Sequence, residues 1–169
     1  LLIRPSDFTF DDLLKENNYN EFLALTKARP DTIKEVNLWK SGLNEIPKEI
    51  VLFKNLEILS LEDNDLSKAD FSILDQLPNL KKLKLQECRL TKIPSVVFNL
   101  SNLEEFDIYL NDITEIQIEL FNLTNLKALQ IGGNKLKSLS PAISKLTKLE
   151  WIEFSSTQIF KLPNEMTRL

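Results

Sequence analysis

Histidine is absent from this chain of 169 residues. That removes the commonest transition-metal ligand and the usual general base near neutral pH. Cysteine occurs once, as Cys88, so no internal disulfide framework exists and no cysteine-rich zinc site can be assembled. A basic excess is missing too: the net charge is -4 and the isoelectric point about 5.0, which speaks against a nucleic-acid or anionic-membrane surface. No apolar run approaches the roughly 18 residues of a membrane-spanning helix. No glycine-rich loop is present to cradle a phosphate, and the serines and threonines have no histidine to activate them.

What the chain does have is repetition. Six blocks begin at Ile33, Leu56, Leu80, Leu103, Leu126 and Leu149, and all but the second are spaced 23 residues from the next. The fourth position carries Val36, Leu59, Leu83, Phe106, Leu129 and Ile152; the sixth carries Leu38, Leu61, Leu85, Ile108, Ile131 and Phe154. The eleventh carries Leu43, Leu66, Leu90, Ile113, Leu136 and Ile159. Positions four and six alternate as in a strand, sending both side chains to one face. The later apolar positions turn the chain back over that face, and one block buries its core only by stacking on the next. Six parallel strands at ~4.8 Å make a ribbon ~24 Å across.

The pattern LxxLxLxxNxLxxLPxxIxxLxN resembles the leucine-rich repeat family, and it covers Ile33 to Leu169. It is most similar to the short 23-residue repeats of bacterial secreted proteins and of intracellular Ras-group-related repeat proteins, and looks like the bacterial, leptospiral type. The resemblance implies an α/β solenoid, curved, with a parallel sheet on its concave side, and a non-catalytic module that binds a protein ligand there. It also implies a secreted or cell-surface, virulence-associated bacterial setting. The alternatives are a cytoplasmic regulatory scaffold and the recognition segment of a larger enzyme.

The expected organisation is an N-terminal helical cap over residues 1–32 and repeats over 33–55, 56–79, 80–102, 103–125, 126–148 and 149–169. In the cap, Thr9 and Asp12 read as a capping box, and Asn20 reads as the cap of a second helix ending near Ala28, before Pro30. Phe8, Leu13, Leu14, Phe22, Leu23 and Leu25 are expected to cover the first repeat. The block from Leu56 has one extra residue and lacks the usual proline; Phe71, Leu74 and Leu77 have helical spacing, with Asp70 as a candidate cap. Gln117 replaces proline in the block from Leu103. Both read as tolerated convex-side variation. At the far end, Ile152, Phe154, Ile159 and Leu162 lie at an uncapped edge, where the expectation is either more chain or self-association.

The ninth position reads Ser41, Asn64, Cys88, Asn111, Asn134 and Thr157. An inward polar group there is expected to bond backbone groups of adjoining turns, which makes Cys88 a structural residue. Positions three, five, seven and eight point out of the concave sheet. They supply the candidate partner-binding residues Trp39, Ile58, Lys82, Lys84, Glu105, Asp107, Tyr109, Leu110, Trp151 and Glu153. Aromatic side chains anchor protein interfaces because they bury area with few rotatable bonds. Gly132 and Gly133 are expected to open space beside Tyr109. Lys82 and Lys84, flanked by acids, read as members of in-sheet ion pairs. Carboxylate pairs such as Glu105 with Asp107 have the repeat itself as their simplest cause, so no catalytic or metal site is assigned and no cofactor is implied. Asn99-Leu-Ser and Asn122-Leu-Thr match the glycosylation pattern, but both arise from the repeat phrase NL[ST]N.

Overall fold

The computed structural model describes residues 10–168, with side chains from Asn18 to Thr167. One helix, α1 (Phe10–Lys27), precedes six three-residue strands: β1 (Glu35–Asn37), β2 (Ile58–Ser60), β3 (Lys82–Lys84), β4 (Glu105–Asp107), β5 (Ala128–Gln130) and β6 (Trp151–Glu153). The strands lie in chain order in one parallel sheet. Equivalent repeat positions pair along the whole sheet, from Glu35 with Ile58 to Ala128 with Trp151.

Each strand leads through a tight turn to a short 3-10 helix on the opposite side, and the core lies between. Val36, Leu59, Leu83, Phe106 and Leu129 are buried there, as are Leu38, Leu61, Leu85, Ile108 and Ile131. Burying each such side chain contributes roughly 1.5–3 kcal/mol before conformational entropy is set against it. Position eight adopts a left-handed backbone in all six repeats, with φ between 50° and 64° at Lys40, Asp63, Glu87, Leu110, Gly133 and Ser156. Only one of these is glycine, so five repeats hold a conformation that disfavours a side chain by about 1 kcal/mol.

The cap is one continuous helix, not two. Asn20 lies inside α1 rather than at a helix start. Tyr19, Phe22 and Leu23 recur at helical spacing and pack on the first repeat: Phe22 is buried, 5.8 Å from both the Tyr19 and the Phe53 rings. That shared apolar face outweighs the weak local tendency of asparagine to begin a helix. Pro30 lies just beyond the helix end, where it cannot continue the ladder. The Thr9–Asp12 box and the side chains of Phe8, Leu13 and Leu14 lie outside the described residues.

The extra residue of the second repeat is absorbed between Leu66 and Phe71. The chain turns tightly, with Ala69 N–H donating to Leu66 O at 3.1 Å. Phe71 then stands where Pro94 stands one repeat later: Leu74 N–H bonds Phe71 O at 3.0 Å, as Val97 N–H bonds Pro94 O at 3.0 Å. The residue before the 3-10 helix Ser72–Gln76 is Phe71, which makes no side-chain capping bond; Asp70, the expected cap, lies one place earlier and accepts the Ser72 N–H at 2.8 Å. Helical convex segments are not peculiar to this repeat; every repeat has one. At the far end the core positions are less covered. Ile152, Phe154 and Ile159 are half-buried where their counterparts Leu129, Ile131 and Leu136 are fully buried, and Phe160 is 92% exposed.

Candidate functional site

Three ladders of polar groups hold the repeats in register, and they determine what the sheet face can present. Asn64, Asn111 and Asn134 each donate to a carbonyl of the preceding repeat (Leu38, Leu85 and Ile108) at 2.8–2.9 Å, and to carbonyls of their own turn. Their Oδ1 atoms accept the N–H of Leu43, Leu90 and Ile113, again in the preceding repeat. Ser41 and Thr157, at the two ends, bond only within their own turns. Cys88 donates to Leu61 O at 3.2 Å, but it has no acceptor to match Oδ1, and Leu66 N–H turns instead to Cys88 O and Asn64 O. Burial pushes the Cys88 thiol up to about 12, so it stays protonated and unreactive.

A second asparagine ladder, whose role the sequence reading left unassigned, runs along the last position of the blocks. Asn55, Asn79, Asn102 and Asn125 donate to Asp31 O, Lys54 O, Pro78 O and Ser101 O. The asparagine closing the NL[ST]N phrase is its visible trace. The third ladder is ionic. Position two reads Lys34, Glu57, Lys81, Glu104, Lys127, Glu150, alternating in sign throughout. Glu57 lies 2.7 Å from both Lys34 and Lys81, and Glu104 lies 2.6 Å from Lys127. The two lysines hold the Glu57 carboxyl down to about 2. Position ten alternates over the four middle repeats, between an uncharged Gly42 and Gln158, pairing Asp65 with Arg89 at 2.9 Å and Asp112 with Lys135 at 2.7 Å.

On the sheet itself, one row runs Glu35, Ile58, Lys82, Glu105, Ala128, Trp151, and the next Asn37, Ser60, Lys84, Asp107, Gln130, Glu153. Lys82 pairs with Glu105 at 2.7 Å, whereas Lys84 stays half-buried with no ion pair among the described residues. Asp107 is buried and accepts the Tyr109 N–H at 2.9 Å. Burial, with Glu62 and Glu153 nearby, raises its pKa above the usual carboxylate value despite Lys84. Asn37 makes the equivalent bond to the Trp39 N–H at 2.9 Å.

Three large apolar side chains stand out from this polar face: Trp39 is 40% exposed, Leu110 43% and Trp151 48%, with Tyr109 half-buried beside Leu110. The two tryptophans belong to the first and last repeats, five strand intervals or ~24 Å apart, so they mark the ends of a long face rather than one cluster. The glycine pair opens no space beside Tyr109. A side chain at Gly132 would run into the Glu153 carboxylate, and one at Gly133 would come within 2.7 Å of Leu110 Cδ2. Neighbouring side chains already fill the room the glycines leave. Among the described residues there is no group of three or more acidic, histidine or cysteine side chains placed to hold a metal. No helix there is long and apolar enough to cross a membrane.

The family model for the leucine rich repeat matches residues 101–159. These are leucine-rich repeats. The solved structure of a leucine-rich repeat protein from Leptospira interrogans matches with a TM-score of 0.67 and 27% identity, over 86% of this chain and 42% of that one. An internalin from Listeria monocytogenes matches with a TM-score of 0.64 and 30% identity, over 80% of this chain and 38% of that one. The chain thus spans about two fifths of the length of both proteins. A search of the curated proteins finds no match. A leucine-rich repeat solenoid is generally a protein-interaction module: its rigid, laddered backbone presents an extended surface of independently variable side chains.

Proposed function

We propose that the chain binds a protein ligand on its concave face, as a bacterial secreted or cell-surface protein. The observation that carries this reading is the exposure of Trp39, Leu110 and Trp151 on a face that is otherwise polar. Tryptophan is among the residue types that dominate interface energies. The ordered residues around them, including the Lys82–Glu105 pair, supply a polar rim. The bacterial origin of the two similar structures supports the setting.

The test is capture of ligand from host and bacterial lysates by the wild-type chain and by a Trp39→Ala/Tyr109→Ala/Trp151→Ala variant with unchanged circular dichroism. A partner held by the former and lost by the latter is expected. Equal capture by both overturns the concave assignment. A second reading, self-association through the β6 edge, is favoured by the 92% exposure of Phe160 beside half-buried Phe154 and Ile159. A single monomer boundary in sedimentation at high concentration overturns it.

A further inference from the structure

The row of aliphatic residues at position fourteen reads Ile46, Ala69, Ile93, Ile116, Leu139 and Leu162. It is broken at one place, Ala69, in the repeat that also carries the extra residue. Phe71 stands in the place of the missing proline and is buried. An open hollow of about 520 Å³ lies on the flank between the second and third repeats, with the short Ala69 side chain on its wall. Its apolar wall includes Leu66, Ala69, Phe71, Leu90 and Val96; Asp70, Asp75 and Lys92 are among its polar lining. Asp70 is fixed by the Ser72 N–H and hydroxyl at 2.8 and 3.0 Å, and Asp75 by the Asn99 amide at 3.1 Å. Neither acid has a cationic partner among the described residues. A second hollow, which shares Ser67, Ala69 and Asp70 with the first, is lined by Glu45 and by Asp65, itself paired with Arg89, and also by Lys68.

We infer that this hollow is a second docking site, off the sheet face, for a peptide segment of a partner protein that presents a bulky apolar side chain next to an arginine or lysine. The apolar wall of Leu66, Ala69, Phe71, Leu90 and Val96 takes the side chain. The two fixed carboxylates, both exposed at the rim, pair with the adjacent cation. The volume falls within the ~300–1,000 Å³ usual for ligand-holding cavities.

Titration of the ¹⁵N-labelled chain with three capped hexapeptides, glycines around a central Phe-Arg, Phe-Glu or Ser-Arg pair, tests this by amide shifts. The expected result is a response confined to residues 66–75 and 90–99, with Phe-Arg bound about tenfold more tightly than either of the others. Ala69→Leu restores the residue type of the other repeats and is expected to abolish the response. Asp75→Asn is expected to remove the preference for arginine while leaving the rest of the spectrum in place. Trp39→Ala/Trp151→Ala is expected to leave Phe-Arg binding unchanged, which separates this site from the sheet face. Equal binding of Phe-Arg and Phe-Glu, undiminished binding by Ala69→Leu, or shifts only on the sheet face overturns the assignment.

Discussion

At the scale of the residue, the ninth position shows how one atom type decides a rung. Asparagine offers an amide and an oxygen together, so Asn64, Asn111 and Asn134 satisfy donors and acceptors of two repeats at once. Cys88 supplies the donor alone. Cys88→Asn is therefore expected to stabilise the chain by about 1 kcal/mol, the net value of an added buried hydrogen bond, read as a higher urea midpoint at unchanged slope. A lower midpoint would mean that the larger amide does not fit the space of the thiol. Asp107 is the converse case, an ionised group where an amide would serve. Its raised pKa means that ionisation disfavours the folded state, an effect absent when pH lies below the range in which unfolded aspartate titrates and fully present above its folded value. Asp107→Asn keeps an acceptor for the Tyr109 N–H, as Asn37 does for Trp39. It is expected to raise the unfolding midpoint at pH 7 and to lose that advantage as pH falls from the raised folded value to the range in which unfolded aspartate titrates.

At the scale of the element, the strands were legible and the helix only partly so. Alternating positions four and six dictate which strand face is buried, and a constant block length dictates the register, so Glu35 opposite Ile58 follows from spacing alone. Asn20 resembles a second helix start in the sequence because helix-capping preferences are local and small, while the packing of Phe22 between Tyr19 and Phe53, which keeps α1 continuous, is tertiary and large. The hollow beside Ala69 has no single motif to announce it for a related reason: its wall is shared by side chains of two repeats. The filling of the Gly132–Gly133 space by Glu153 and Leu110 was hidden likewise, because it depends on side chains from neighbouring repeats. Phe22→Ala tests the docking of the helix. A loss of about 3–5 kcal/mol is expected, as for other buried phenylalanines, with amide exchange of residues 10–27 rising before that of the sheet. A loss below about 1 kcal/mol would mean that α1 holds to the first repeat by other contacts.

At the scale of the whole molecule, stability is close to a sum of repeats and of the interfaces between neighbours. The two ends are unlike: α1 covers the first repeat, while the last leaves Ile152, Phe154 and Ile159 half-exposed. Native-state hydrogen exchange is accordingly expected to be slowest in β3 and β4 and fastest in β6, with the 149–169 repeat opening at lower denaturant than the others. Uniform protection across all six strands would argue against this end-fraying.

The alternating charges at positions two and ten carry a rule about parity. Removing the single repeat 80–102 would set Glu57 beside Glu104 and Asp65 beside Asp112, like against like on both flanks. Removing the pair 80–125 would set Glu57 beside Lys127 and Asp65 beside Lys135, and every join would remain attractive. Melting curves of the two shortened chains at low and high salt would expose the difference: the odd deletion should gain from salt and the even one should not. A solenoid built on this alternation changes length readily by two repeats and reluctantly by one, so its natural increment is a doublet of 46 residues, although each turn of the coil repeats after 23.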